Sequence, residues 1–155
     1  MMFTIHVVAS FFSTVAFGIL TNIPRRALLA SGVTGCLGWL VYVVLQASNY
    51  GLGITNFAAT FVIGCLSVFF SRKKKIPMII FTIPALVPLV PGGPAYKAVR
   101  ELVLGNNFAA FENILVVIIT AGSIAAAFMM TSLVERILLK WRQAQRNRKL
   151  KKTLK

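Results

Sequence analysis

IPMIIFTIPALVPLVPGGPAYKAVRELVLG, residues 76–105, holds five of the chain's six prolines, Pro77, Pro84, Pro88, Pro91 and Pro94, in an otherwise apolar run. Each proline removes a backbone donor and crowds the carbonyl four residues earlier. Pro84 and Pro88 concentrate both losses in a single turn. Pro91-Gly92-Gly93-Pro94 then joins two fixed rings to two permissive residues, a combination that ends a helix. The expected form is a kinked or broken helix from residue 76 to about 90, an unwound turn, and a second helix opening near Pro94 or Ala95. Proline suits a first helical turn there.

Outward from this segment lie four further apolar stretches, residues 3–21, 27–47, 53–71 and 114–134. Most match the roughly 20 residues that a helix needs to cross a hydrocarbon core. The 155 residues are 57% hydrophobic, contain no aspartate, and carry only three carboxylate side chains, Glu101, Glu112 and Glu135. A soluble domain of this composition would lack polar side chains to cover its surface. The bilayer is the expected solvent, and backbone polar groups at membrane depth must then be satisfied by helices. The fold class is all-α, a polytopic membrane bundle of about five transmembrane helices with the fourth broken by proline and glycine.

The net charge of +14 would suit nucleic acid if it covered one face of a domain. Instead the basic residues sit at the ends of apolar segments, which points to anionic lipid and away from nucleic acid. Arg25 and Arg26 occupy the first break, none the second, Arg72, Lys73, Lys74 and Lys75 the third, and nine the stretch from Arg136 to the C-terminus. With five crossings, fifteen of the seventeen basic residues share one side. The N-terminus is then outside and the C-terminus cytoplasmic in a plasma membrane. A re-entrant fourth segment would put the nine-charge tail outside, so five crossings are preferred. Residues 1–135 read as one transmembrane domain and 136–155 as a basic cytoplasmic tail resting on anionic headgroups. The N-terminal run lacks the basic region and cleavage site of a signal peptide, so the first span is expected to remain in the mature protein.

Irregular backbone at membrane depth is tolerated where protein buries it or a watery cavity faces it, and transporters build substrate sites from such breaks. The candidate substrate-binding residues are therefore Pro88, Pro91, Gly92, Gly93, Tyr96, Lys97 and Arg100. Pro88, Pro91 and Gly92 would hold the turn open, at a position that only glycine tolerates. Amides near Ala95, Tyr96 and Lys97, with the charge of Lys97 or Arg100, would attract a carboxylate. Tyr96 would supply an aromatic wall or a hydroxyl. The competing reading is a structural kink followed by a surface helix in which Lys97 pairs with Glu101.

Elsewhere the chemistry is sparse. There is no Ser-His-acid set, HExxH or phosphate loop, so no catalytic residue, cofactor or metal site is expected. Cys36 and Cys65 read as small apolar side chains, and His6, the single histidine, as interfacial. Small residues four apart, Ser31/Gly35 and Thr34/Gly38 in the second span and Ala121/Ala125, Gly122/Ala126 and Ser123/Ala127 in the fifth, offer close-packing stripes. Asn56, Thr60, Thr120, Ser123 and Thr131 are the few polar side chains inside spans. The hydroxyls can bond their own backbone, while Asn56 and Asn113 read as interfacial or capping. No acid lies mid-membrane, which weakens a proton relay resting on this chain alone.

The elements NIPR at 22–25, GxxGW at 35–39 and PALVPLVPGGPAY at 84–96 together resemble the threonine/serine exporter (ThrE) superfamily, and more narrowly its small YjjB-type subunit. The likeness runs from the first span to the end of the fifth and leaves out the basic tail. It implies export of small amino acids or dicarboxylates such as succinate. It also implies a hetero-oligomer with a YjjP-like membrane subunit, this chain resembling the C-terminal half of the fused exporters. The alternatives are a non-transporting scaffold or assembly subunit, and a lipid- or RNA-binding tail anchored by the spans. Five spans exceed what an anchor needs.

Overall fold

In a computed structural model the backbone is described for residues 2–153, and side chains for 4–137, 139 and 140. Six helices make up the described chain: α1 (Met2–Leu20), α2 (Arg25–Ala47), α3 (Leu52–Lys74), α4 (Ile79–Leu86), α5 (Gly92–Val103) and α6 (Asn107–Thr153). At 23 residues each, α2 and α3 are about 35 Å long, enough for a hydrocarbon core of about 30 Å. α2, α3 and the Asn107–Ile137 part of α6 are long and apolar enough to span a membrane, and Thr4–Leu20 is a shorter apolar helix. α6 continues without interruption into the basic stretch.

The helix ends follow local chemistry. Asn22 and Asn49 stand at positive φ, 55° and 58°, in the first two connections; asparagine tolerates this conformation better than most residues. Lys75 closes α3 in the left-handed region. Ile76 N–H returns to Ser71 O at 3.2 Å, and Pro77 blocks continuation. Gly105, at φ 77°, provides the turn between α5 and α6, where a side chain would be strained.

The proline-rich segment breaks as expected, with one shift of boundary. α4 ends at Leu86, residues 87–90 form turns, and the second helix opens at Gly92 rather than at Pro94 or Ala95. Pro91 takes the cap position, and Pro94 falls in the first helical turn, where its missing N–H costs nothing. Neither Gly92 nor Gly93 has positive φ, and a Cβ on either would meet open space. The expectation that only glycine fits there is therefore corrected: within this chain Gly92 is conformationally ordinary.

α4 packs against α1, α2 and α3, whereas α5 packs against α6. One buried cluster joins Ala59 and Ile63 of α3 to Ala85 and Leu89 of the fourth segment; a second joins Ala27 and Ala30 of α2 to Phe81. The stripes of α2 are consumed inside the bundle. Gly35 abuts Thr14 of α1, Gly38 abuts Ile63 of α3, and Gly64 of α3 abuts Thr131 of α6. The α6 stripes divide: Ala121, Gly122, Ala125 and Ala126 are exposed, whereas Ala127 is buried and Ser123 half-buried.

Helix directions follow from these contacts. Gly53 faces Ser123 and Gly64 faces Thr131, so α3 and α6 run parallel. The intervening chain must return to the end where α3 begins. It does so along α3, from the Phe70–Phe81 ring contact at 6.3 Å to Pro88, Leu89 and Val90, which share a cavity with Leu52 and Asn56. The fourth segment thus runs the length of the bundle. Arg25, Arg26, Arg72, Lys73, Lys74, Lys75, Arg136 and Lys140 collect at one end, and Lys97 and Arg100 lie at the other.

Candidate functional site

The break lines a cavity of about 160 Å³ at the end of the bundle where α3 begins. Trp39 and Tyr42 enter it from α2, Leu52 and Asn56 from α3, Pro88, Leu89, Val90, Pro91 and Pro94 from the break, and Val116 and Thr120 from α6. At about 30 Å³ per liquid water this is room for about five waters, the scale of a small metabolite rather than a drug-sized ligand. Trp39 and Tyr42 are stacked at 5.0 Å between ring centroids and form a flat aromatic wall. On the other side of Trp39 and Pro88 lies a shallower groove bearing His6, Ser10 and Ser13, with the His6 ring 6.3 Å from Trp39.

The polar groups on the cavity wall are unusual in their surroundings. A hydroxyl inside a membrane helix normally satisfies itself by donating to the carbonyl a turn earlier. Ser10, Thr14, Thr34, Thr55, Thr82, Ser123, Thr131 and Ser132 all do so. Thr120 is only 4% exposed, lines the cavity, and its hydroxyl makes no hydrogen bond among the described residues. Asn56, 2% exposed, donates from Nδ2 to Leu52 O at 2.8 Å and leaves its carboxamide oxygen unpaired. The Tyr42 hydroxyl and the Trp39 indole N–H also lack partners among the described residues. Four of the lining residues thus carry a neutral polar group with spare hydrogen-bonding capacity, the rest of the wall is apolar, and no charged side chain among the described residues lines it.

Of the residues singled out from sequence, Pro88 and Pro91 lie in the cavity wall. Gly92, Gly93, Tyr96, Lys97 and Arg100 do not: all five are exposed, Tyr96 at 69%. Arg100 pairs with its neighbour Glu101 at 3.7 Å, in place of the anticipated Lys97–Glu101 pair. The expected row of free amides is also corrected. Gly92 N–H donates to Val90 O at 2.8 Å and Ala95 N–H to Pro91 O at 3.0 Å. Pro94 has none, and Tyr96 and Lys97 lie within α5.

Trp39, Tyr42, Asn56 and Thr120 line the cavity but are not among the candidates drawn from sequence. Asn56 is a wall of the cavity rather than an interfacial cap, and Asn113 donates to Ala109 O at 2.7 Å inside α6. The usable signal was weak: Asn56 and Thr60 are a polar i,i+4 pair in an apolar span.

An all-helical bundle with three helices long and apolar enough to span a membrane, and a broken segment walling a small, mostly apolar cavity, is the architecture of a helical membrane protein. The chain belongs to the threonine/serine exporter family: the family model "Threonine/Serine exporter, ThrE" matches residues 6–134. This is a transporter family rather than an enzyme family. An uncharacterised protein of Haemophilus influenzae is 33% identical over 94 residues, which cover 61% of this chain and 32% of that protein. The chain thus spans about a third of the length of the curated relative it matches. No solved structure matches.

Proposed function

We propose that this chain is the YjjB-like subunit of a secondary exporter of small amino acids or dicarboxylates, working with a YjjP-like membrane partner in the plasma membrane. The basic end faces the cytoplasm, following the bias of Lys and Arg toward that side. Anionic headgroups neutralise this end and the basic tail. The observation that carries the reading is the cavity at the proline break, lined by Thr120 and Asn56, largely buried residues whose hydroxyl and carboxamide oxygen have no partner among the described residues. Polar groups left without a protein partner on residues that line a space of metabolite size favour a polar ligand there.

The cavity reads the uncharged part of a substrate. The carboxylates of this substrate class need cations, and the nearest candidates, Lys97 and Arg100, point away from the cavity in this arrangement. Charge recognition therefore belongs to the partner, or to Lys97 and Arg100 after closure against it. The greater length of the Haemophilus influenzae relative fits a system in which this chain is one part of a larger machine.

The test is efflux of labelled threonine and succinate from the native host carrying Thr120→Val or Asn56→Leu, with membrane levels measured alongside. Each lost substrate hydrogen bond is worth about 0.5–1.5 kcal/mol, or about 2- to 13-fold in affinity. Undiminished efflux in both variants would refute the assignment of this cavity.

A further inference from the structure

Three buried side-chain polar atoms have no hydrogen-bond partner among the described residues, and all three lie on α3: Thr60 Oγ1, Ser67 Oγ and one guanidinium nitrogen of Arg72. Thr60 and Ser67 are 0% exposed. Asn56, Thr60 and Ser67 are spaced by four and seven residues, so they form one stripe along the helix. The stripe starts in the cavity and runs toward the basic end. Eight other helical hydroxyls donate to a carbonyl one turn earlier. Thr60 and Ser67 instead remain unpaired at 0% exposure, where an unmade hydrogen bond is a net loss.

We infer that the Thr60–Ser67 stripe is the closed half of the translocation path, continuing the cavity toward the basic end. This rests on the export reading of the cavity. Ile63 sits on the same stripe between the two hydroxyls and is packed with Ala85 and Leu89 of the fourth segment. That apolar contact is the plug. The element pressing on it is weakly laddered: Pro84 and Pro88 lack amide hydrogens, and Val87 and Leu89 donate over three residues to Pro84 O and Leu86 O, at 3.2 and 2.8 Å. Withdrawal of α4 and its turn from Ile63 would open a file of hydroxyls to water and substrate. Their hydrogen bonds are then made in the alternate state and missing in this one.

The experiment uses the native host, with the chromosomal chain replaced and its neighbours intact. Thr60→Val and Ser67→Ala remove the hydroxyls with almost no change of shape. In the double variant, membrane levels and thermal stability should hold or rise, while efflux of labelled threonine and succinate falls at least fivefold. Thr60→Ser should retain efflux. A purely structural pair of hydroxyls gives a more stable protein with undiminished efflux, which would overturn the inference. A second readout places Ser67→Cys in a Cys36→Ala/Cys65→Ala background and measures labelling by a small hydrophilic thiol reagent. Labelling should accelerate during efflux, and a thiol inert both at rest and during turnover sinks the path. If Thr120→Val and Asn56→Leu abolish efflux while the Thr60/Ser67 double variant does not, the cavity stands and the path falls. If none of the four substitutions matters, the export reading of the cavity falls as well.

Discussion

Gly38→Val is the sharpest test of how the bundle is held together. A Cβ at Gly38 would collide with the Ile63 side chain, and Ala59 O lies 3.5 Å away. Ile63 is 0% exposed and locked among Ala59, Ala85 and Leu89, so it cannot swing aside. Valine adds three carbons where one already clashes, and overpacking of this kind costs about 1–3 kcal/mol or more. Leaving glycine returns only about 0.3 kcal/mol, because valine is itself a modest helix former. The expected net loss is about 1–3 kcal/mol, a shift of about 5- to 150-fold in the folding equilibrium. The control is Gly122→Val, the same chemical change on α6 where nothing lies within 4 Å; it should stay within about 0.5 kcal/mol of the parent. Thermal denaturation of the detergent-purified protein, with membrane levels as a second measure, separates the two. Ile63→Ala alone should cost about 2–5 kcal/mol, yet in the Gly38→Val background it should cost at least about 1 kcal/mol less, because it removes the colliding atoms. Equal stability of the two valine variants, or strict additivity with Ile63→Ala, would refute the close α2–α3 contact.

Gly92→Leu should leave stability within about 0.5 kcal/mol, since the site is open and its φ unstrained; a lower melting temperature in the isolated chain would contradict this. Alanine at both Lys97 and Arg100 should weaken apparent substrate affinity several-fold at constant membrane level, read from the concentration dependence of efflux. A reporter active only in the cytoplasm should work after Lys155 and stay silent at Ser48; the reverse pattern overturns the five-crossing topology.

Much of the architecture was legible because the strongest signals are covalent or compositional. Five prolines in one apolar run cannot sustain an uninterrupted helix, and the break falls at Pro88–Pro91 as their chemistry requires. The charge pattern likewise anticipated that the basic residues at 25–26, 72–75 and 136–140 share one end. The two-residue shift in the start of α5 has a local cause: Pro91 can itself serve as the cap, so Gly92 and Gly93 enter the helix rather than form the turn. The site was less legible because a membrane helix carries little amphipathic contrast to report which way it faces. Ser31/Gly35 and Gly122/Ala126 look alike in sequence, yet the first pair is buried and the second exposed.

The same limit hides the approach of Tyr42 to the break. Tyr96 sits beside the break in sequence, but α5 turns its tyrosine outward, 69% exposed, while Tyr42 and Trp39 arrive from α2, some fifty residues away along the chain. Proximity in sequence pointed at the charged helix after the break, whereas the bundle uses the break as a wall facing α2, α3 and α6. The consequence is a division of labour within any exporter built on this chain. Its interior offers aromatic faces, hydroxyls and an amide; its cations lie at the bundle ends. A carboxylate-bearing substrate passing along this interior must therefore have its charge met by groups that enter from outside the cavity, and the exposed face of α5 with Lys97 and Arg100 is where this chain can help supply them.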